Sequence, residues 1–219
     1  MKTVILDFVN VVADLDVEKT FSELSLKQKF AALRLYLCSL KDGMVKIGLQ
    51  DYQKGNISKD QLVHQLSIVY PSAAKEIPSL IDALINNLTV NPEVLELVNE
   101  VRKQGSQVLL MSNSIPETEE IMRAHNLENV FDGIILSTEV KSTKPHNYIY
   151  VYAMKKYHIN PEETIMIDDT KKNLAKADSL GIETFHCENS DETCEVLDAY
   201  LVYQDMVKAN KTNYQTNLI

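Results

Sequence analysis

Five polar side chains in this 219-residue chain stand where their types and spacing could do chemistry: Asp7, Ser112, Lys144 and the adjacent pair Asp168 and Asp169. A carboxylate can attack phosphorus and become an acyl phosphate, which splits one hard displacement into two easier steps. A phosphoryl group is itself anionic, so an approaching carboxylate is repelled unless a cation neutralises both partners. Mg2+ does this with a few oxygen ligands and retained waters. Asp7, Asp168 and Asp169 offer such oxygens, and the backbone carbonyl of Val9 offers another without needing a side chain. Lys144 would balance charge on the phosphoryl oxygens, while the Ser112 hydroxyl and the Asn113 amide would donate hydrogen bonds to them. In-line transfer carried by positioning and electrostatics is the expected chemistry.

Such residues work only if the chain brings them together. Asp7 follows Val4-Ile5-Leu6, Ser112 ends Val108–Met111, and Asp168 closes Thr164–Ile167; short apolar runs of this kind read as buried parallel strands. Gly133–Leu136 and Ile182–His186 add two more. Between them lie helical patterns. Asn91 and Pro92 begin one as N-cap and first-turn proline, with Val94, Leu97, Val98 and Val101 on its apolar face and Gly105 at its close. Pro116–His125, Asn147–Tyr157 and Lys171–Leu180, stopped by Gly181, are the others. Strands alternating with helices imply right-handed βαβ units, hence an α/β fold with a Rossmann-like five-stranded parallel sheet. Open sheets of this kind place ligands just beyond the carboxyl ends of their strands.

Residues 16–88 break the alternation. Leu26, Phe30, Leu33, Leu37 and Leu40 form a helical stripe with Gly43 as a stop. Met44–Gln53 is a further short helix. Ser58 with Gln61 makes a capping-box start for Leu62–Val69, ended by Pro71, and Ile77–Leu88 is the last helix of the stretch. No strand is expected there. The expected organisation is an α/β core from residues 1–15 and 89–195, an inserted α-helical cap domain over 16–88, and a C-terminal helix and polar tail over 196–219. The terminal helix is read over Ser190–Val207, packing by Val196, Tyr200 and Leu201, with Ala209–Asn217 frayed.

The four motifs, in this order, resemble the haloacid dehalogenase-like superfamily, in the branch whose helical cap is inserted after the first strand. The first motif is matched by Val4-Ile5-Leu6-Asp7-Phe8-Val9-Asn10-Val11-Val12-Ala13-Asp14, the second by Leu109-Leu110-Met111-Ser112-Asn113-Ser114. The third is matched by Lys144-Pro145, and the fourth by Ile165-Met166-Ile167-Asp168-Asp169-Thr170, continuing through Asn173, Ala177 and Gly181. The order separates the chain from response-regulator receivers, which put the acidic pair on the first strand. The resemblance, over about residues 1–190, implies an aspartyl nucleophile at Asp7. It also implies Mg2+ held by Asp7, the Val9 carbonyl and Asp169, with Asp168 direct or through water, and a cap that selects a small phosphorylated substrate by closing over the site.

One position departs from the pattern. Val9 stands where the family's phosphatases carry the Asp that protonates the leaving oxygen and later activates water. Loss of such acid–base help costs about 10²–10⁴ in rate. Asn10 and Val11 replace the usual Gly-Thr, and asparagine tolerates the left-handed backbone that the turn needs. The leading reading is a Mg2+-dependent phosphatase acting through an aspartyl-phosphate at Asp7. Two others stand beside it: a binding or regulatory protein that keeps the scaffold without turnover, and attack on a carbon centre as in dehalogenation. Adjacent acids at Asp168 and Asp169 weigh against the last.

Bulk properties narrow the setting. Net charge is −9, with 22 Lys and Arg against 31 Asp and Glu, so no basic footprint for nucleic acid or an anionic membrane is expected. No apolar run approaches the ~20 residues of a membrane span. The opening Met1-Lys2-Thr3-Val4 reads as the start of a strand rather than a signal peptide. Cys38, Cys187 and Cys194 show no paired framework and read as inert thiols in a reducing cytoplasm. His64, His125, His146, His158 and His186 lack metal-ligand spacing, and Tyr148, Tyr150 and Tyr152 diverge on their helix. No glycine-rich nucleotide loop is present.

Overall fold

Residues 2–39 and 43–216 are described by the computed structural model, with side chains over 2–34 and 43–209. Leu37, Cys38, Leu40 and Asn217, on which some expectations fell, lie outside the described side chains. Strand β1 (Thr3–Leu6) leads to β2 (Ala13–Leu15). Five helices follow: α1 (Val17–Glu23), α2 (Leu26–Ser39), α3 (Gly43–Gln53), α4 (Lys59–Val69) and α5 (Ile77–Asn86). Then come β3 (Leu88–Val90), α6 (Pro92–Lys103), β4 (Gln107–Ser112), α7 (Thr118–Ala124), α8 (Leu127–Val130), β5 (Gly133–Leu136), α9 (Ser137–Val140) and α10 (Asn147–Tyr157). The chain closes with β6 (Thr164–Asp168), α11 (Lys171–Asp178), β7 (Glu183–His186) and α12 (Ser190–Thr216).

Five strands form one parallel sheet in the order β5-β4-β1-β6-β7. Alternation sorts their side chains. Val4, Leu6, Val108, Leu110, Ile165 and Ile167 face one side, where α6 and α12 cover them through Val94, Val98, Val101 and Leu197. Ile5, Leu109, Met111, Ile135 and Met166 face the other, covered by α10 and α11 through Ile149, Tyr150, Ala153, Leu174 and Ala177. Burial on both faces explains why these strands are continuous apolar runs. The order β4, β5 on one side of β1 and β6, β7 on the other makes β1 the switch point, where ligands bind in such sheets.

The helices between β2 and β3 carry their own apolar cluster, including Leu24, Val45, Leu62, Leu66, Ile77 and Leu80. Ser58 caps α4 in a full capping box with Gln61, as its spacing predicts. Several details differ from expectation. β2 and β3 form an antiparallel ribbon (Asp14 opposite Thr89, Leu15 opposite Leu88). The helix read to Leu88 therefore stops at Asn86, where the Asn87 side chain donates to the Ala83 carbonyl at 3.0 Å and to Glu23 at 3.0 Å. Strands of three residues are too short to show alternation. Gly43 opens α3 rather than stopping the preceding helix.

The described part of the stripe on α2 is turned outward: Leu26 is 75%, Phe30 72% and Leu33 52% exposed. Ala31 is buried on the inward face and Gln28, half-buried beside it, donates to Ser79 Oγ at 2.9 Å, while the exposed Arg34 donates to Ser72 Oγ at 3.0 Å. Small residues let α2 approach its neighbours closely. At the other end of the chain, the polar stretch expected to fray continues α12 to Thr216. Once a helix is nucleated and packed, each further residue adds a hydrogen bond at little cost.

Candidate active site

The carboxyl ends of β1, β4 and β6 are held level by register, with Leu6 opposite both Leu110 and Ile167. Asp7 leaves β1 at that level, with its N–H donating to the Ile167 carbonyl at 2.9 Å. The chain then turns sharply: Asn10 takes a φ of 60°, and the N–H groups of Val12 and Ala13 both donate to the Phe8 carbonyl at 2.9 Å. An asparagine side chain is one of the few that tolerates this conformation.

Lys144 is the centre of the cluster. Its buried ammonium lies 2.8 Å from Asp7 Oδ1 and 2.7 Å from Asp168 Oδ2, and it donates to the Met111 carbonyl at 2.8 Å. All three ammonium hydrogens thus have acceptors. Burial alone would favour a neutral amine, but Asp7 and Asp168 outweigh it and hold the ammonium above its ordinary range. For Asp7, burial raises the carboxyl, Lys144 pulls it down and Asp168 raises it again; the net is a rise to about 7.

Asp168 is fully buried, and both of its oxygens accept hydrogen bonds. Its Oδ1 accepts from the Thr170 N–H at 2.8 Å and from Asn173 Nδ2 at 2.9 Å, while Oδ2 accepts from Lys144. Asn173 is fixed in turn by its own carbonyl, which accepts from the Tyr150 hydroxyl at 3.0 Å. Asp169 is more open. Asn10 Nδ2 donates to its Oδ2 at 2.9 Å, Thr170 Oγ1 meets its Oδ1 at 3.0 Å, and His186 Nε2 lies 2.9 Å from its carbonyl.

Asp7, Asp168 and Asp169 each present one carboxylate oxygen, all within 4.8 Å of one another. An octahedral Mg2+ with oxygens at 2.0–2.1 Å spaces neighbouring ligands about 3 Å apart and opposite ones about 4 Å apart. The donor set, three hard oxygens, fits that ion. Val9 is half-buried, and its side chain packs against the core cluster.

The remaining residues divide. Ser112 is buried at the end of β4, one register step beyond Asp7 on the neighbouring strand. The Asn113 side chain is engaged by the Lys144 loop: its Oδ1 accepts from the Lys144 N–H at 2.7 Å and its Nδ2 donates to the Lys144 carbonyl at 3.0 Å. That two-way bond fixes the loop carrying Lys144, because an unsatisfied peptide group beside a buried ion pair is costly. The fourth motif includes Asn173 without giving it a role, Tyr150 reads as a packing residue of its helix, and Asn10 reads as a turn residue. Amides have no spacing signal, though Asn173 falls five residues after Asp168 on the helix that the acidic pair precedes. Asp14 likewise serves elsewhere, accepting from the Ser190 N–H at 2.9 Å and from the Ser190 hydroxyl at the start of α12.

Known proteins are similar to this chain in sequence and in fold. The chain is 27% identical over 146 residues to the sesquiterpene phosphatase astK of Aspergillus oryzae, covering 66% of this chain and 74% of that protein. It is 26% identical over 200 residues to the D-ribitol-5-phosphate phosphatase of Bacteroides thetaiotaomicron, covering 86% and 93%. Its fold matches the crystal structure of a wild-type HAD family enzyme from B. thetaiotaomicron in complex with magnesium and inorganic phosphate, with a TM-score of 0.66 at 22% identity over 85% of this chain and 93% of that one. The family model for haloacid dehalogenase-like hydrolases matches residues 1–181, and with the motif residues gathered at one end of the sheet the chain belongs to that family.

Proposed function

We propose that the protein is a Mg2+-dependent phosphatase that hydrolyses a small phosphorylated metabolite through an aspartyl-phosphate on Asp7. The observation that carries this reading is the buried Asp7–Lys144–Asp168 triad, with Asp169 beside it, at the switch point of the sheet. Relatives that act on ribitol-5-phosphate and on a sesquiterpene phosphate, and the magnesium and phosphate held by a structural neighbour, support the same chemistry.

In this reading Asp7, Asp169 and the Val9 carbonyl hold the cation, which when bound offsets the negative charge that otherwise opposes attack. Lys144 neutralises phosphoryl oxygens and the Ser112 hydroxyl donates to one. A carboxylate oxygen of Asp7 forms the bond to phosphorus as the ester oxygen leaves; water then cleaves the acyl phosphate, releasing inorganic phosphate and restoring Asp7. Asp168 orients Lys144. The five helices over residues 17–86 act as a cap that chooses the substrate. Val9 carries no proton, so substrates whose leaving group departs unaided, such as acyl and aryl phosphates, are preferred, and the phosphoenzyme breaks down slowly.

The test is hydrolysis of p-nitrophenyl phosphate with and without Mg2+, beside an Asp7→Asn control, together with beryllofluoride as a mimic of the phosphorylated aspartate. Mg2+-dependent turnover lost in Asp7→Asn, and a Mg2+-dependent rise in melting temperature with beryllofluoride, are expected. No turnover above that control, with no shift in melting temperature, would reject the reading. Binding without turnover would favour the regulatory alternative.

A further inference from the structure

Within the helical insertion lies a hollow of about 340 Å³, walled by residues from all five of its helices. Leu24, Val45, Leu62, Leu66, Ile77 and Leu80 form its depth. Among the described residues that line it, Thr20 alone has a polar side chain, and its hydroxyl is already committed, donating to the Asp16 carbonyl at 2.6 Å. Val17, Phe21, Leu49 and Leu84 line it too and are exposed to solvent, so the mouth is as apolar as the interior.

The hollow opens to solvent at that mouth, so it is an apolar cleft in the surface and not a sealed void. Water is a poor occupant, because a buried water needs two to four polar partners, and an apolar cavity of about 150 Å³ stays dry and takes up benzene instead. The described residues that line the hollow offer no free donor or acceptor, so its natural occupant is hydrocarbon. With about 30 Å³ per water-sized group, it holds roughly ten carbons.

Its position relates it to the catalytic end of the sheet. Ile115 packs against the same apolar cluster that walls the hollow, and it lies three residues beyond Ser112, a chain distance of at most about 11 Å. On the other side, Ala13 is bridged to Val9, and Val17 at the mouth follows four residues later, at most about 14 Å away.

Resting on the phosphatase reading, we infer that the hollow receives the hydrocarbon tail of an amphiphilic phosphate ester whose head group is placed at Asp7. Nothing inside the hollow would recognise a hydroxylated chain, so sugar phosphates would gain nothing from it.

The experiment uses n-alkyl phosphates from ethyl to dodecyl as competitive inhibitors of p-nitrophenyl phosphate hydrolysis. Each buried methylene is expected to tighten binding about threefold to fourfold up to roughly ten carbons, and then to level off. Leu66→Trp would fill the hollow and flatten that dependence; Leu84→Trp, at the exposed mouth and so safer for folding, would shorten it. Inhibition independent of chain length would overturn the inference while leaving the phosphatase reading intact. So would a dependence that survives both variants, because the tail would then lie elsewhere. A second readout is separate from catalysis: n-decanol should raise the melting temperature of the wild type, and less so that of either variant. If p-nitrophenyl phosphate is not turned over, that shift still decides whether the hollow takes a chain, and its absence would sink the proposal.

Discussion

In the sheet core the apolar runs of β1, β4 and β6 are buried on both faces, whereas in the helical insertion the clearest apolar stripe, Leu26, Phe30 and Leu33 on α2, faces outward. The core is overdetermined. Each strand is hydrogen-bonded to neighbours in register and covered by helices on two sides, so the groups at its carboxyl end are fixed. The insertion packs its helices on one another around an apolar cluster and the hollow beside it. It is tied to the core through the β2–β3 ribbon and a few side-chain bonds. The half that holds the charges is packed on both faces of a sheet, and the other half encloses apolar space.

The strongest test of that contrast removes the cation from the half that holds the charges. Lys144→Ala leaves Asp7 and Asp168 facing each other in a buried site, and loss of one partner from a buried ion pair costs about 3–5 kcal/mol. Denaturant unfolding should show this loss. Since burial and Asp168 favour the protonated form of Asp7, the loss should be smaller at pH 5 than at pH 8, and added Mg2+ should recover part of it. A loss equal at both pH values would mean that the carboxylates are not coupled through Lys144.

Val9→Asp asks whether the same half is limited by a missing proton. Val9 is half-buried, so a carboxylate there can be hydrated. A gain of about 10²-fold in kcat is expected for alkyl phosphates, with a much smaller gain for aryl phosphates, whose leaving groups need no acid. An equal gain for both classes would place the limit elsewhere.

Proton and metal compete at Asp7. Its carboxyl is raised to about 7, so the folded chain binds a proton there more tightly than the unfolded chain does. This group's contribution to stability is therefore present at low pH and lost as pH rises from the ordinary carboxylate range, about 4, to about 7. Mg2+ should reverse the trend: its apparent affinity should rise about tenfold between pH 6 and pH 8, with close to one proton released per ion near pH 6. Calorimetry in two buffers of different ionisation enthalpy measures both. Affinity independent of pH would mean that Asp7 is already ionised in the free protein.

What could be read from the chain followed the same division. Runs buried on two faces carry their own signal, and four motifs whose order is fixed by the sheet located Asp7, Ser112, Lys144, Asp168 and Asp169 before any geometry was known. The motifs include Asn113 and Asn173 but do not report the bonds that their side chains make: the Asn113 side chain holds the Lys144 loop, and Asn173 reaches Asp168 through the turn of α11. In the insertion, periodicity identified helices, but Leu26, Phe30 and Leu33 of the α2 stripe are exposed, because Ala31 and Gln28 make the described contact through small size and a hydrogen bond rather than hydrophobicity. The three-residue strands β2 and β3 exist because they pair with each other, which no local pattern reports.

The smallest expected effect lies at the seam between the halves. Tyr52 on α3 donates its hydroxyl to Glu117 on the core, Ser137 Oγ donates to the Gln53 carbonyl at 2.5 Å, and Lys141 Nζ to the Gly55 carbonyl at 3.0 Å. Burial and Glu117 both push the Tyr52 hydroxyl above its ordinary range, so it stays protonated and remains a donor across the working pH range. Tyr52→Phe keeps the ring and removes only that bond. Glu117 is half-exposed and can turn to water, so the cost should be near the usual net value of a hydrogen bond, about 1 kcal/mol. Hydrogen exchange should show where it falls. Faster exchange in α3 and α4, with β1, β4 and β6 unchanged, is expected if the insertion opens as a unit from a core that stays folded. Equal acceleration in the strands would mean that the two halves unfold together, and that the seam is part of one cooperative structure.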